Sequence, residues 1–212
     1  MHSHEERRIG PMPTLLPRTA PRWFTGPIVD LLARVGVTPN MLTCAGVAGN
    51  VVAAVLAGSG ELVAAGVVVL AASSLDMLDG ALARATGQAT DFGFVFDAVM
   101  DRVSEAAVLF GLLVYFSDRG DRTEELLIFV AAVASILVSY VRARAEIIGL
   151  EMKEGLFSRA PRVIVIGVGL ILDAVWDDSV TAMLWTLATF ASVTAVQRLG
   201  LVWWKTRKRE EV

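Results

Sequence analysis

Residues 41 to 58 run without a single charge, MLTCAGVAGNVVAAVLAG. A bilayer core about 30 Å thick asks for roughly 17 to 25 apolar residues from a crossing helix. In lipid, only structures that satisfy their own backbone hydrogen bonds can cross. Five more apolar stretches follow, at about 62–83, 92–116, 125–147, 163–176 and 179–204. Polar breaks separate them. Val37-Thr38-Pro39-Asn40 precedes the first, with Asn40 or Thr38 as the helix cap, Gly58-Ser59-Gly60 makes a tight turn, Gly87 to Asp91 is a polar connection, and SDRGDRTEE is an exposed loop. The expected fold is therefore all-α, a polytopic membrane bundle of six transmembrane helices. With 55% of its 212 residues hydrophobic and a mean hydropathy of +0.59, the composition agrees.

The flanks complete the layout. Residues 21 to 36, PRWFTGPIVDLLARVG, place Trp23, Phe24, Ile28, Leu31 and Leu32 on one side of a short helix. That pattern suits an N-terminal amphipathic helix in the membrane interface, or one packed on the bundle. Residues 1–20 read as a flexible cytoplasmic lead, 21–204 as the membrane domain and 205–212 as a basic cytoplasmic tail. MHSHEERRIG is polar, so no cleavable signal peptide is expected.

The net charge of −3 says little, but its distribution says more. Nearly all of the 19 basic residues fall in the N-terminal lead, the 84–91 connection, the 142–162 segment and the tail, while the opposite loops hold only Arg119 and Arg122. Those loops are acidic instead, with Glu61, Asp118, Asp121, Glu124, Asp177 and Asp178. Lysine and arginine mark the cytoplasmic side, so both termini are expected there, in a multi-pass protein of the plasma (inner) membrane. Trp203 and Trp204 before Lys205 suit an interfacial anchor. The spread of basic residues along one membrane face argues against a nucleic-acid partner. Cys44 is the single cysteine and His2 and His4 are the only histidines, which argues against a disulfide, a cysteine-based metal cluster and a buried histidine site.

Within this apolar frame, Asp76 to Asp101 reads DMLDGALARATGQATDFGFVFDAVMD. Asp76 and Asp79 are three apart and Asp97 and Asp101 four apart, so each pair shares one face of its own helix. Carboxylates in membrane helices are costly and point to function. The expected compensation is a divalent metal, since hard cations such as magnesium take carboxylate oxygens and substrate phosphate together. Two ions about 4 Å apart would clamp a phosphoryl transfer. The second and third spans are expected to be antiparallel neighbours joined by a short connection, so the two pairs should face one another at one depth. Gly80 and Ala83 leave room for a substrate, and Arg84 is suited to phosphate.

The pattern Asp76-x2-Asp79-Gly80-x2-Ala83-Arg84-x8-Gly93-x3-Asp97-x3-Asp101 resembles, at every fixed position, the signature of the CDP-alcohol phosphotransferase family. The resemblance implies two Mg2+ ions, with Mn2+ as a substitute, among Asp76, Asp79, Asp97 and Asp101. It implies that Asp76 and Asp79 hold the first ion, that Asp97 bridges both, and that Asp101 contacts the second and acts as general base. It further implies that Gly80, Arg84 and Thr90 meet the CDP moiety, together with Asn40, Met41, Leu42 and Thr43. Family members are typically homodimers.

Outside the signature, Arg142 in SYVRARAE, Arg159 and Arg162 in SRAPR, and Arg198 in VQRLG form a basic set. Arg198 interrupts an otherwise uncharged span, so it should face a polar cavity. Arginines beside a metal site suggest an anionic acceptor, most simply a phosphate monoester. These segments resemble the phosphatidylinositol phosphate synthases of the family. Two departures stand out, Arg142 where lysine is usual and Ser158 where an acidic residue often stands. The implied reaction takes CDP-diacylglycerol and inositol 3-phosphate to phosphatidylinositol phosphate and CMP. The alternatives are glycerol 3-phosphate as acceptor or, in a different class, a cation transporter or a membrane scaffold. A transporter would place its carboxylates near the bilayer midplane and would leave Gly80, Arg84 and the arginine set without a role.

Overall fold

The structure, a computed structural model, describes residues 22–150, 152 and 157–210. The expected lead at 1–20 lies outside the described residues, as do the side chains of Arg22, Trp23 and Phe24. Seven helices follow in order among the described residues: α1 (Arg22–Val35), α2 (Pro39–Gly58), α3 (Leu62–Thr86), α4 (Asp91–Ser117), α5 (Arg122–Ile147), α6 (Arg159–Leu172) and α7 (Ser179–Glu210).

Local chemistry sets their ends. Thr38 is the N-cap of α2 and accepts from the Met41 N–H, with Pro39 entering the first turn, where a missing N–H costs nothing. Thr90 caps α4 in the same way, accepting from Gly93 N–H. Gly87 closes α3 in the left-handed conformation that side-chain-bearing residues avoid.

Four helices are long and apolar enough to cross a membrane, α2, α3, α5 and the greater part of α7. The two other expected spans differ for physical reasons. α4 has the length but carries Asp97, Asp101, Arg102 and Glu105. α6 is only 14 residues long and begins earlier than expected, at Arg159 rather than near 163. Pro161 lies in its first turn, which tolerates proline, and the helix ends at Leu172, so Val175 and Trp176 fall in a turn beyond it.

Helices α2 and α3 pack closely, as do α2 and α4, α3 and α6, and α5 and α7. The expectation that α3 and α4 are direct neighbours is corrected here. They do not pack along their lengths; α2 packs against both and leaves a gap between them. Small residues allow the close approaches. A Cβ on Gly49 would press on Ala72 of α3, and one on Gly111 of α4 would run into the Ala54 backbone of α2. Gly111→Ala is therefore expected to lower the thermal midpoint in detergent by several degrees, through strain on the order of 1–3 kcal/mol. Gly200→Ala, with nothing within 4 Å of the new Cβ, should be neutral or slightly stabilising in the same measurement.

Large apolar side chains point outward along the bundle, among them Val51, Val55, Phe110, Phe129, Ile136 and Val196. That surface suits lipid rather than water. Helix α1 lies against α3, burying Val29 with Leu42 and Leu82, while Ile28 and Leu31 stay exposed.

Candidate active site

One end of the bundle collects the polar chemistry, where the last turns of α3 and the first turns of α2, α4 and α6 meet. Asp79 is buried on α3, and the Thr43 hydroxyl of α2 donates to its Oδ2 at 2.7 Å. Asp76 lies one turn earlier, against Gly46 of α2, where any Cβ would collide with its carboxylate. From α6, Arg159 reaches into the α3–α4 gap. Its Nη2 donates to Asp76 Oδ2 at 2.5 Å and its Nη1 pairs with Asp101 Oδ1 at 2.6 Å. One guanidinium thus spans carboxylates from α3 and α4, and the charges of Asp97, Asp76 and Asp101 all act on it.

Two cavities adjoin this cluster and share Asp97 and Phe94 in their walls. The first, about 340 Å³, is lined by Asn40, Thr43, Asp79, Gly80, Arg84 and Thr90, among others. The N-termini of α2 and α4 both border it, and helix N-termini attract phosphate through unpaired N–H groups and the helix dipole. Of the expected Asn40–Thr43 stretch, only Asn40 and Thr43 line this cavity. Leu42 is buried against Val29 and Leu82, and Met41 is exposed, because three residues make nearly a full turn and the two between face elsewhere.

The second cavity, about 260 Å³, is lined by Asp101 and by all four expected arginines, Arg142, Arg159, Arg162 and Arg198. Arg142 pairs with Glu146 at 2.8 Å one turn along α5. Arg198 is buried and donates to the Val138 carbonyl at 2.7 Å. Arg144 lies outside this wall, donating to the Tyr140 hydroxyl at 2.9 Å.

A family model of CDP-alcohol phosphatidyltransferases matches residues 36–204, four-fifths of the chain and all of this site. The chain belongs to the CDP-alcohol phosphatidyltransferase family.

Relatives of this phosphatidyltransferase include the phosphatidylinositol phosphate synthase of Mycobacterium tuberculosis, 38% identical over 194 residues that cover 89% of each chain. The enzyme of the same name from Mycobacteroides abscessus is 40% identical, over 90% of this chain and 89% of its own. The archaetidylinositol phosphate synthase of Pyrococcus horikoshii is 34% identical, over 85% and 89%. The crystal structure of the M. tuberculosis enzyme with CDP-DAG bound superposes with a TM-score of 0.79 at 37% identity, covering 85% of this chain and 94% of that one. A second structure of that enzyme, in complex with manganese and citrate, gives 0.79 at 38% identity, covering 84% and 88%.

The transferase's own residues fit a divalent cation by donor chemistry. Four carboxylates supply hard oxygen ligands, and the bare Gly46 leaves space beside Asp76. Among the described residues, no three histidine, cysteine, aspartate or glutamate side chains are already drawn to one point. Arg159 holds Asp76 and Asp101, and Thr43 holds Asp79.

The sequence expectations for the transferase omit Glu105. It is buried one turn beyond Asp101, and both of its oxygens accept from Arg162, Oε1 from Nε at 2.7 Å and Oε2 from Nη2 at 2.8 Å. A signal was present, since Asp97, Asp101 and Glu105 form one i, i+4, i+8 stripe on α4.

Proposed function

We propose that this phosphatidyltransferase moves the phosphatidyl group of CDP-diacylglycerol onto the hydroxyl of inositol 3-phosphate, releasing CMP and forming phosphatidylinositol phosphate. One observation carries the reading: two cavities of different character meet at Asp97, one bordered by Arg84 and two helix N-termini, the other by four arginines. The relatives' name, phosphatidylinositol phosphate synthase, supports the product, and the relative with CDP-DAG bound supports the donor.

In this reading, Arg84, Gly80, Asn40, Thr43 and Thr90 receive the cytidine diphosphate in the first cavity. Arg142, Arg159, Arg162 and Arg198 receive the acceptor's phosphate in the second. Asp76, Asp79, Asp97 and Asp101 would hold two Mg2+ ions, or Mn2+, with Asp97 shared. Such ions supply charge neutralisation for the diphosphate and for departing CMP. Asp101 is the base: it takes the proton of the acceptor hydroxyl as that oxygen bonds to the lipid-bearing phosphorus. The bond from that phosphorus to the bridging oxygen breaks, and the electron pair leaves with CMP. The arrangement of charged loops favours six spans, α2 to α7, with site and termini cytoplasmic and α1 along the interface, and the habit of the family favours a homodimer as the assembly.

The test is CMP release by purified protein in detergent with Mg2+ or Mn2+, using a panel of free and phosphorylated alcohols. Turnover is expected with inositol 3-phosphate, not with inositol, and should stop on chelation. Preference for glycerol 3-phosphate would reassign the acceptor, and no CMP release with any alcohol would refute the reading.

A further inference from the structure

Glu105 and Arg162 form a buried, two-pronged ion pair between α4 and α6. Ser135 of α5 lies beside Glu105 in the wall of a small adjoining cavity, and Arg162 Nη1 donates to the Phe157 carbonyl at 3.2 Å, just before α6 begins. A buried pair of this kind loses hydration that its attraction barely offsets, so stability alone is a poor reason for it. Its position suggests a better one. Arg162 lies one turn after Arg159 on α6, and Glu105 lies one turn after Asp101 on α4. Arg159 pairs with Asp101 while Arg162 pairs with Glu105, which makes two successive rungs between the same helices. Three of the five Arg162 N–H groups are engaged in this way, leaving two on a guanidinium that borders the 260 Å³ cavity.

We propose that Glu105 is a positioning residue for the acceptor's phosphate. By locking Arg162 to α4 it sets the register of the first turn of α6. It thereby aims both Arg159 and the remaining N–H groups of Arg162 into the acceptor cavity. Glu105 also borders this cavity, but both of its oxygens are taken up by Arg162, so its part is to position that arginine rather than to move the proton. The inference rests on the phosphorylated-acceptor reading given above and adds the residue that makes the arginine set rigid. Aspartate at this position keeps the charge but is one methylene short of the fork, and glutamine keeps the length but gives up the charge.

The experiment uses the full chain in detergent, as wild type, Glu105→Gln, Glu105→Asp and Ser135→Ala. It measures kcat and KM for inositol 3-phosphate and for CDP-diacylglycerol, the thermal midpoint, and calorimetric binding of inorganic phosphate. Glu105→Gln should raise the acceptor KM and weaken phosphate binding about tenfold, the size of one misplaced charge-assisted hydrogen bond. The CDP-diacylglycerol KM should stay within about twofold. Glu105→Asp should fall between, and Ser135→Ala should raise the acceptor KM about two- to threefold. A folded Glu105→Gln with unchanged acceptor KM and phosphate affinity would overturn the proposal, as would an equal rise in both KM values. If Glu105→Gln does not fold, unchanged acceptor KM and phosphate affinity in Glu105→Asp and Ser135→Ala overturn it equally. Failure of the wild type to turn over would refute the assigned reaction, whereas the phosphate titration still decides the role of Glu105.

Discussion

Asp101→Asn is expected to lower CMP release by on the order of a thousandfold, the contribution of a well-placed general base. Asparagine keeps the shape of the side chain, and its carbonyl can still accept from Arg159 Nη1, which pairs with Asp101 at 2.6 Å. The bundle should therefore fold as before, with a thermal midpoint close to that of the wild type. Binding of CDP-diacylglycerol should also survive, because Asp101 does not line the cavity that holds Arg84 and Gly80. The amide cannot take up the acceptor's proton, however, so turnover fails while the donor still binds. A discontinuous assay for CMP, run beside a lipid-binding measurement, checks both halves. Release within tenfold of the wild type would remove Asp101 from the role of base.

The second large effect is expected at the other end of the acceptor cavity. Arg198→Gln should raise the KM for inositol 3-phosphate by about 10- to 100-fold, because a charge-assisted hydrogen bond to phosphate contributes roughly 1.5–3 kcal/mol. The KM for CDP-diacylglycerol should change little, since Arg198 borders only the 260 Å³ cavity of the two. Glutamine retains donors for the Val138 carbonyl, which Arg198 Nη1 now reaches at 2.7 Å, so a general collapse of the α5–α7 contact is not expected. Parallel titrations of the two substrates make the comparison. An unchanged acceptor KM would take Arg198 out of phosphate recognition.

Much of this site was legible because helices convert spacing into geometry. The three- and four-residue intervals of Asp76, Asp79, Asp97 and Asp101 place each pair on a helix face, and Thr38 and Thr90 stand where capping hydroxyls belong. The charge on Arg198 in a long apolar run was likewise visible without coordinates. What escaped depends on which helices touch. Nothing in the local pattern says that α2 packs against both α3 and α4 and leaves a gap between them. Nor does spacing say that Arg159 crosses that gap to hold Asp76 and Asp101, 83 and 58 residues away along the chain. The same limit hid the partner of Arg162. Glu105 continues an obvious stripe, but its bond is to a helix 57 residues further on. Met41 and Leu42 show the opposite error, in which a contiguous stretch was read as one surface although helical rotation turns its middle residues away from the cavity.

The two cavities have only Asp97 and Phe94 in common, and that narrow shared wall has a consequence for traffic. A greasy donor and a water-soluble acceptor need not use the same doorway. On the proposed reading, the donor would enter one cavity with its tails still among other lipids, and the polyol phosphate would enter the other from solution, on the far side of the partition. On that reading neither would stand in the other's way, and two molecules of opposite solubility would meet at Asp97 from separate sides.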